Sequence, residues 1–256
     1  ETAMSLADLS NWQGNYAEAL TRAKSAIALI EDLPPALKKS DDIQDFELRA
    51  RSIKGDAFYY LNKSAEAEAV YRENVTRANV WLSEQPDNML ARRHTIIAYW
   101  NLASTIMERE PAAALDLLDT ASRLVPRLME FEPADENALR TESIILLSRA
   151  EALAAGGRLP EALSLLEQQD AARRKRYEAN PDTPEFARSY AVFLTAKGGL
   201  LADNKRIAEA CRVYAEADAI FMSLQSRNRI SGFDSTNGGL AQLQQAMKTH
   251  CSRDKP

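Results

Sequence analysis

Glycine is scarce in this chain, at nine residues in 256. The β-branched strand formers are thin as well, while Ala, Leu, Glu, Arg and Gln abound, so composition argues against a sheet and for helices. Two cysteines are too few for a disulfide-dense scaffold. The only histidines, His94 and His250, lie far apart, with no cysteine or carboxylate at metal-ligand spacing, which leaves no zinc site to propose. Both read as surface or cap residues. An excess of positive charge is also lacking: the formal net charge of −5 argues against sequence-independent nucleic-acid binding, which needs clustered Lys and Arg. No apolar run reaches the roughly 18 residues of a membrane span, so membrane insertion within this chain is not expected. P-loop, G-x-G-x-x-G and G-x-S-x-G patterns are missing, and the carboxylates are spread over helical surface, so no enzyme and no cofactor is expected. The chain opens on Glu1 inside an amphipathic segment, which reads as a piece of a longer product.

What is present is a period. Ala19, Ala67, Ala114, Ala162 and Ala210 sit in similar short segments, such as Tyr16-Ala17-Glu18-Ala19-Leu20 and Pro160-Glu161-Ala162-Leu163, at separations of 48, 47, 48 and 48 residues. Twelve residues before each, or eleven in the third unit, stands a small residue: Ala7, Gly55, Ala103, Ala150 and Gly198. Four residues after each comes Ala23, Tyr71, Leu118, Leu166 or Tyr214. Nineteen residues after it, three units carry Pro86, Pro133 or Pro181. Two antiparallel helices approach closely only where small side chains admit the backbones, and a large neighbour then fills the groove beside the contact. Each unit therefore reads as helix, tight turn, helix and break.

Local signals agree. Gly14-Asn15, Gly156-Gly157 and Asp203-Asn204 supply turns, and Pro111 and Pro160 suit a first helical turn. Acids at Asp41-Asp42, Asp87, Asp135-Glu136 and Asp182 to Glu185 open the following helices. The expected architecture is an all-α solenoid of five antiparallel helical hairpins, at about 2–32, 41–84, 88–130, 135–178 and 183–227, in a single domain. A capping helix at about 236–251 follows, with Leu240, Leu243 and Met247 as its apolar stripe.

These hairpins resemble tetratricopeptide (TPR) repeats, most clearly at Ala98-Tyr99-Trp100-Asn101-Leu102-Ala103 and at Gln13-Gly14-Asn15-Tyr16-Ala17-Glu18-Ala19-Leu20. The likeness covers nearly the whole chain, although that family's unit is about 34 residues and each unit here carries about fourteen more. Long units of this kind are similar to the repeats in C-terminal regions of some bacterial serine/threonine kinases and one-component sensors. The resemblance implies a right-handed solenoid whose first helices line a concave groove that holds a peptide.

Seven residues beyond each proline of the period stands an arginine: Arg93, Arg140 and Arg188. Arginine near a helix N-terminus opposes the dipole, so its recurrence asks for a partner. One reading pairs these residues with loop carboxylates such as Glu84, Glu132 or Glu178, or Asp87, Asp135 or Asp182. The other makes them the rim of the groove that the resemblance implies. Residues four, seven and eleven beyond each arginine share its stripe, giving Ile97, Trp100 and Ser104; Ile144, Leu147 and Glu151; and Val192, Thr195 and Gly199. In the second unit the equivalents are Asp45, Arg49, Ser52 and Asp56. The candidate partner-binding residues are thus Asp45, Arg49, Asp56, Arg93, Trp100, Ser104, Arg140, Leu147, Glu151, Arg188 and Thr195. For Ile97, Trp100, Ile144 and Leu147 core and groove are equally open readings. The densest basic run, Arg173-Arg174-Lys175-Arg176, falls at a helix C-terminus, where it complements the dipole and its long side chains can cover apolar surface; a patch for an anionic partner is the alternative.

Cys211 opens the fifth second helix and Cys251 closes the cap helix. A turn midway, in Asn228 to Gly232, places them side by side and makes a disulfide a candidate. That bond implies an oxidising compartment such as the periplasm; a buried helix thiol with a frayed terminal one is the alternative. The resulting expectation is a non-enzymatic protein-protein interaction or sensor module, binding a protein or peptide as a regulatory domain of a larger bacterial signalling protein. The alternative is a structural or oligomerising segment of an envelope protein.

Overall fold

The computed structural model describes residues 6–7, 9–11, 15–131, 135–180, 183–230, 234–235 and 238–251, and every regular element among them is a helix. Gly14, Glu132, Pro133, Pro181 and Asp182, which carried expectations above, lie outside the described residues. The chain divides into two compact units, Glu1–Phe131 and Glu132–Pro256.

In the first unit, helical residues at 6–7 and 9–11 precede α1 (Tyr16–Glu31), a single turn at Pro35–Lys38, α2 (Asp41–Tyr60), α3 (Ser64–Glu84), α4 (Met89–Ile106) and α5 (Pro111–Phe131). In the second come α6 (Glu136–Ala155), α7 (Leu159–Ala179), α8 (Pro184–Asp203), α9 (Ile207–Ser226) and α10 (Gly239–His250). Within each unit consecutive helices pack as hairpins, and the first helices of neighbouring hairpins also touch, α2 on α4 and α6 on α8. The cap helix α10 lies against α8 and α9.

The five central alanines are all fully buried. The size of the small residue varies with its column partner. Glycine occupies the notch where a tyrosine faces it: a Cβ on Gly55 would lie 2.6 Å from Cζ of Tyr71, and one on Gly198 would lie 2.6 Å from Cδ1 of Tyr214. Alanine occupies it at Ala103 and Ala150, whose column partners are Leu118 and Leu166. Around these contacts the core is built from Trp81 in the first unit and Tyr190, Phe193, Tyr214 and Phe221 in the second, all essentially inaccessible.

The hairpin turns explain the one short repeat. After α2, α6 and α8 a residue adopts the left-handed conformation, at Asn62, Gly157 and Lys205, and the next amide bonds back five residues, Lys63 to Phe58, Arg158 to Leu153 and Arg206 to Leu201, at 2.8–2.9 Å. This is the Schellman closure. After Asp203-Asn204 the left-handed position falls on Lys205, one residue past the expected turn pair. The third hairpin closes instead with Glu110 N–H bonding to Ile106 at 2.8 Å, without a left-handed residue, and so is one residue shorter. Helix starts are written locally as well: Asn88 and Asp135 accept from the amides of Ala91 and Ala138, at 3.1 and 2.8 Å, as N-caps. The cap of α4 is therefore Asn88.

Candidate partner-binding surface

The residues of the stripe expected on the first helices differ in how deeply they are buried and in what they tie together. In the first unit, Asp45 of α2 bonds to Nε2 of His94 on α4 at 2.7 Å, with Arg49 at 3.7 Å. Partial burial acts to raise the Asp45 carboxyl, but the His94 bond and charge, together with Arg49, hold it below the ordinary aspartate range. His94 is 9% exposed and stacks on Trp81 at 5.9 Å, so its expected surface role is corrected: a neighbouring first helix supplies its polar partner and the core its ring contact. Asp56 accepts from the Tyr71 hydroxyl at 2.6 Å and from Asn11 at 3.4 Å. Burial, followed by the charge and hydrogen bond of Asp56, pushes the Tyr71 hydroxyl far above its usual range. Arg49 and Ser104 are exposed, while Arg93, Ile97 and Trp100 are half-buried.

In the second unit, Arg188 of α8 is also committed. Its Nε and Nη2 bond to Oδ2 and Oδ1 of Asp234 at 2.7 and 3.0 Å, and Asp234 is fully buried. The partner comes from the C-terminal segment, not from the preceding loop. Thr195 turns its hydroxyl back to the Ala191 carbonyl at 2.9 Å. Arg140 and Glu151 are exposed, and Ile144 and Leu147 are half-buried.

The basic run at the end of α7 is absorbed internally. Arg173, 4% exposed, bonds to Ser143 at 2.9 Å, approaches Glu142 at 3.2 Å and lies over the Phe193 ring. Arg174 pairs with Glu216 at 2.7 Å above Tyr190, and Arg176 with Glu142 at 2.9 Å above Phe186. Beside them Asp170 receives Lys197 at 2.6 Å and the Tyr190 hydroxyl at 2.8 Å. Three of the four basic residues thus hold α6, α8 and α9 against α7.

Between α6 and α8 an open cleft of about 190 Å³ remains, lined by Leu147, Ala150 and Glu151 of α6, Leu166 of α7, and Ala196, Gly199, Leu200 and Asp203 of α8. Three of these, Leu147, Glu151 and Gly199, are stripe positions. Asp203 is one helical turn beyond Gly199 on the same stripe, so extending the pattern by four residues finds it. Its place in a turn pair hid it. Crowding by the cleft walls, and then the charge of Asp203, pushes the Glu151 carboxyl above the ordinary glutamate range, although the residue as a whole keeps exposed surface.

Cys211 and Cys251 are joined in the structure, their Cα atoms 5.6 Å apart across 40 residues, which ties α9 to the end of α10. Among the described residues, no helix is long and apolar enough to cross a membrane.

No protein-family model matches the chain, and no curated protein matches it in sequence. Solved structures do share its fold. One is a Podosopora anserina putative kinesin light chain with nearly identical TPR-like repeats, at a TM-score of 0.61 and 18% identity over 90% of this chain and 96% of that one. A point variant of the same kinesin light chain gives a TM-score of 0.63 and 18% identity, over 88% of this chain and 95% of that one. Among the described residues the fold is therefore all-α, and it is TPR-like.

Proposed function

We propose that the chain is a non-catalytic protein-binding module that receives a partner segment on the faces of its first helices. The observation that carries this reading is the cleft between α6 and α8, where stripe positions Leu147, Glu151 and Gly199 meet around an open space. Arg140 extends the same face toward the start of α6, and Arg49, Trp100 and Ser104 offer accessible surface on the first helices of the other unit. Aromatic and arginine side chains of this kind dominate interface energetics. Asp45, Asp56 and Arg188 serve the face indirectly, by holding the helices that present it.

The likeness of the long repeats to those of bacterial kinases and sensors supports a regulatory setting within a larger signalling protein. The Cys211–Cys251 bond favours an oxidising, extracytoplasmic compartment. Exposed Leu29 and Val80, both on second helices, favour a second reading in which the chain is an oligomerising scaffold.

Selection from a random peptide-display library tests the first reading. Peptides are expected to emerge whose binding is lost on Arg140→Glu with Leu147→Asp while the melting temperature stays within a few degrees. Selected peptides indifferent to those changes, or none above a scrambled control, would overturn it, and concentration-dependent sedimentation that Leu29→Ser with Val80→Ser abolishes would establish the scaffold instead.

A further inference from the structure

We propose that the cleft between α6 and α8 takes a cationic side chain on an apolar stem, a lysine or arginine of the bound segment. This rests on the protein-binding reading above and names the chemistry its partner presents.

The walls and the mouth of the cleft ask for different things. Leu147, Ala150, Leu166, Ala196 and Leu200 give it an apolar lining, and Gly199 contributes no side chain. Glu151 and Asp203 place two carboxylates on it from opposite helices. Elsewhere in this unit carboxylates that bridge helices have been given cations: Glu142 has Arg173 and Arg176, Asp170 has Lys197, Glu216 has Arg174 and Asp234 has Arg188. Among the described residues Glu151 and Asp203 have no hydrogen bond or ion pair. Two like charges facing one cavity without a counter-cation raise each other's cost, and a ligand that supplies the cation relieves it. An aliphatic stem of several methylenes matches the apolar walls, and a terminal ammonium or guanidinium reaches the carboxylates, as long basic side chains do at apolar surfaces. A carboxylate-bearing side chain meets repulsion here, and a purely aliphatic one leaves both charges unpaired.

The wall itself permits a steric test. A Cβ on Gly199 would meet only the Tyr214 hydroxyl, at 3.9 Å, an ordinary contact, so the wall accepts the first atom of a side chain there.

The experiment is an amide-resolved NMR titration of the whole chain with Nα-acetyl-lysine-N-methylamide and with the norleucine equivalent, which keeps the stem and lacks the charge. The lysine probe is expected to shift the amides of Ala150, Ala196 and Gly199 and to bind about tenfold more tightly than norleucine, a ratio that falls at high salt. Glu151→Gln with Asp203→Asn should remove that preference, and Gly199→Leu should abolish binding with both carboxylates in place. Equal binding of the two probes, lysine binding indifferent to the acid changes, or shifts confined to other surfaces would overturn the proposal. Should displayed peptides bind the first-helix face while the lysine probe ignores the cleft, only this inference fails. If the probe docks and no peptide is ever selected, it is the protein-binding reading that fails.

Discussion

Arg188 grips Asp234 at two points, Nε to Oδ2 at 2.7 Å and Nη2 to Oδ1 at 3.0 Å, and so ties the fifth first helix to the segment that leads into the cap. Asp234 is fully buried and also accepts from the Gly239 amide that opens α10. A buried carboxylate held this way is costly to half-remove. Asp234→Ala should destabilise the chain by about 3 kcal/mol, because it strands the guanidinium and frees the start of the cap. Arg188→Met should cost comparably, and the double variant less than the sum. Urea denaturation of the four proteins checks this, and additive losses would show that the two groups act independently.

The cap has a second tether. The Cys211–Cys251 bond closes a loop of 40 residues in sequence separation, which in the chain-entropy model is worth about 4 kcal/mol. Dithiothreitol should lower the denaturation midpoint substantially, and Cys211→Ala with Cys251→Ala should reproduce the reduced midpoint and ignore the reductant. Thiol titration of the unfolded, unreduced protein should find no free thiol; two would remove both the bond and the compartment argued from it.

Much of this arrangement was readable from the repeat, and what was missed shares one cause. Alanine columns and turn residues are local signals, so the hairpins, and the notch shared by Gly55 and Tyr71, could be placed from spacing alone. Polar partners were sought in adjoining loops. Several lie instead about one period away: Asp41 with Asn88, Asp45 with His94 and Ser143 with Ser189 meet where neighbouring first helices touch, and Arg188 reaches Asp234 of the C-terminal segment, all at separations of 46 to 49 residues. That rule would have recovered the burial of His94 and the fate of Arg188. The cleft needed a further step, since Asp203 looked like a turn residue and its carboxylate matters only because α6 brings Glu151 beside it.

The matched sizes of the notch give a sharper test of packing. Gly55→Ala gains up to about 1 kcal/mol of helix propensity. It also drives a methyl into the ring of Tyr71, a buried residue whose hydroxyl is held by Asp56, at a cost of about 1–3 kcal/mol. The net effect should be a loss, and Tyr71→Leu in the same chain should recover part of it by recreating the alanine and leucine column pair of Ala103 and Leu118. Gly198→Ala should likewise lose stability and be restored by Tyr214→Leu. Gly199→Ala, with only an ordinary contact to Tyr214, should instead gain stability. A Gly55→Ala protein as stable as the parent would mean that the notch is looser than the geometry requires.

Glu151 should reveal itself through pH. Crowding and the charge of Asp203 raise its carboxyl in the fold, so the folded chain binds its proton more tightly than the unfolded chain does. Stability contributed by that proton is present below the ordinary glutamate pKa and is lost as pH rises through the raised one. Glu151→Gln removes the penalty. The variant should match the parent at acid pH and exceed it at neutral pH by only a few tenths of a kcal/mol, since Glu151 is an exposed residue and solvent screens its charge. The lysine probe should show the opposite dependence, binding the parent more tightly as Glu151 ionises. Thermal melts and probe titrations on either side of that ionisation check both signs. A Glu151→Gln protein less stable than the parent at neutral pH would mean that the carboxylate is stabilising the fold rather than waiting for a cation.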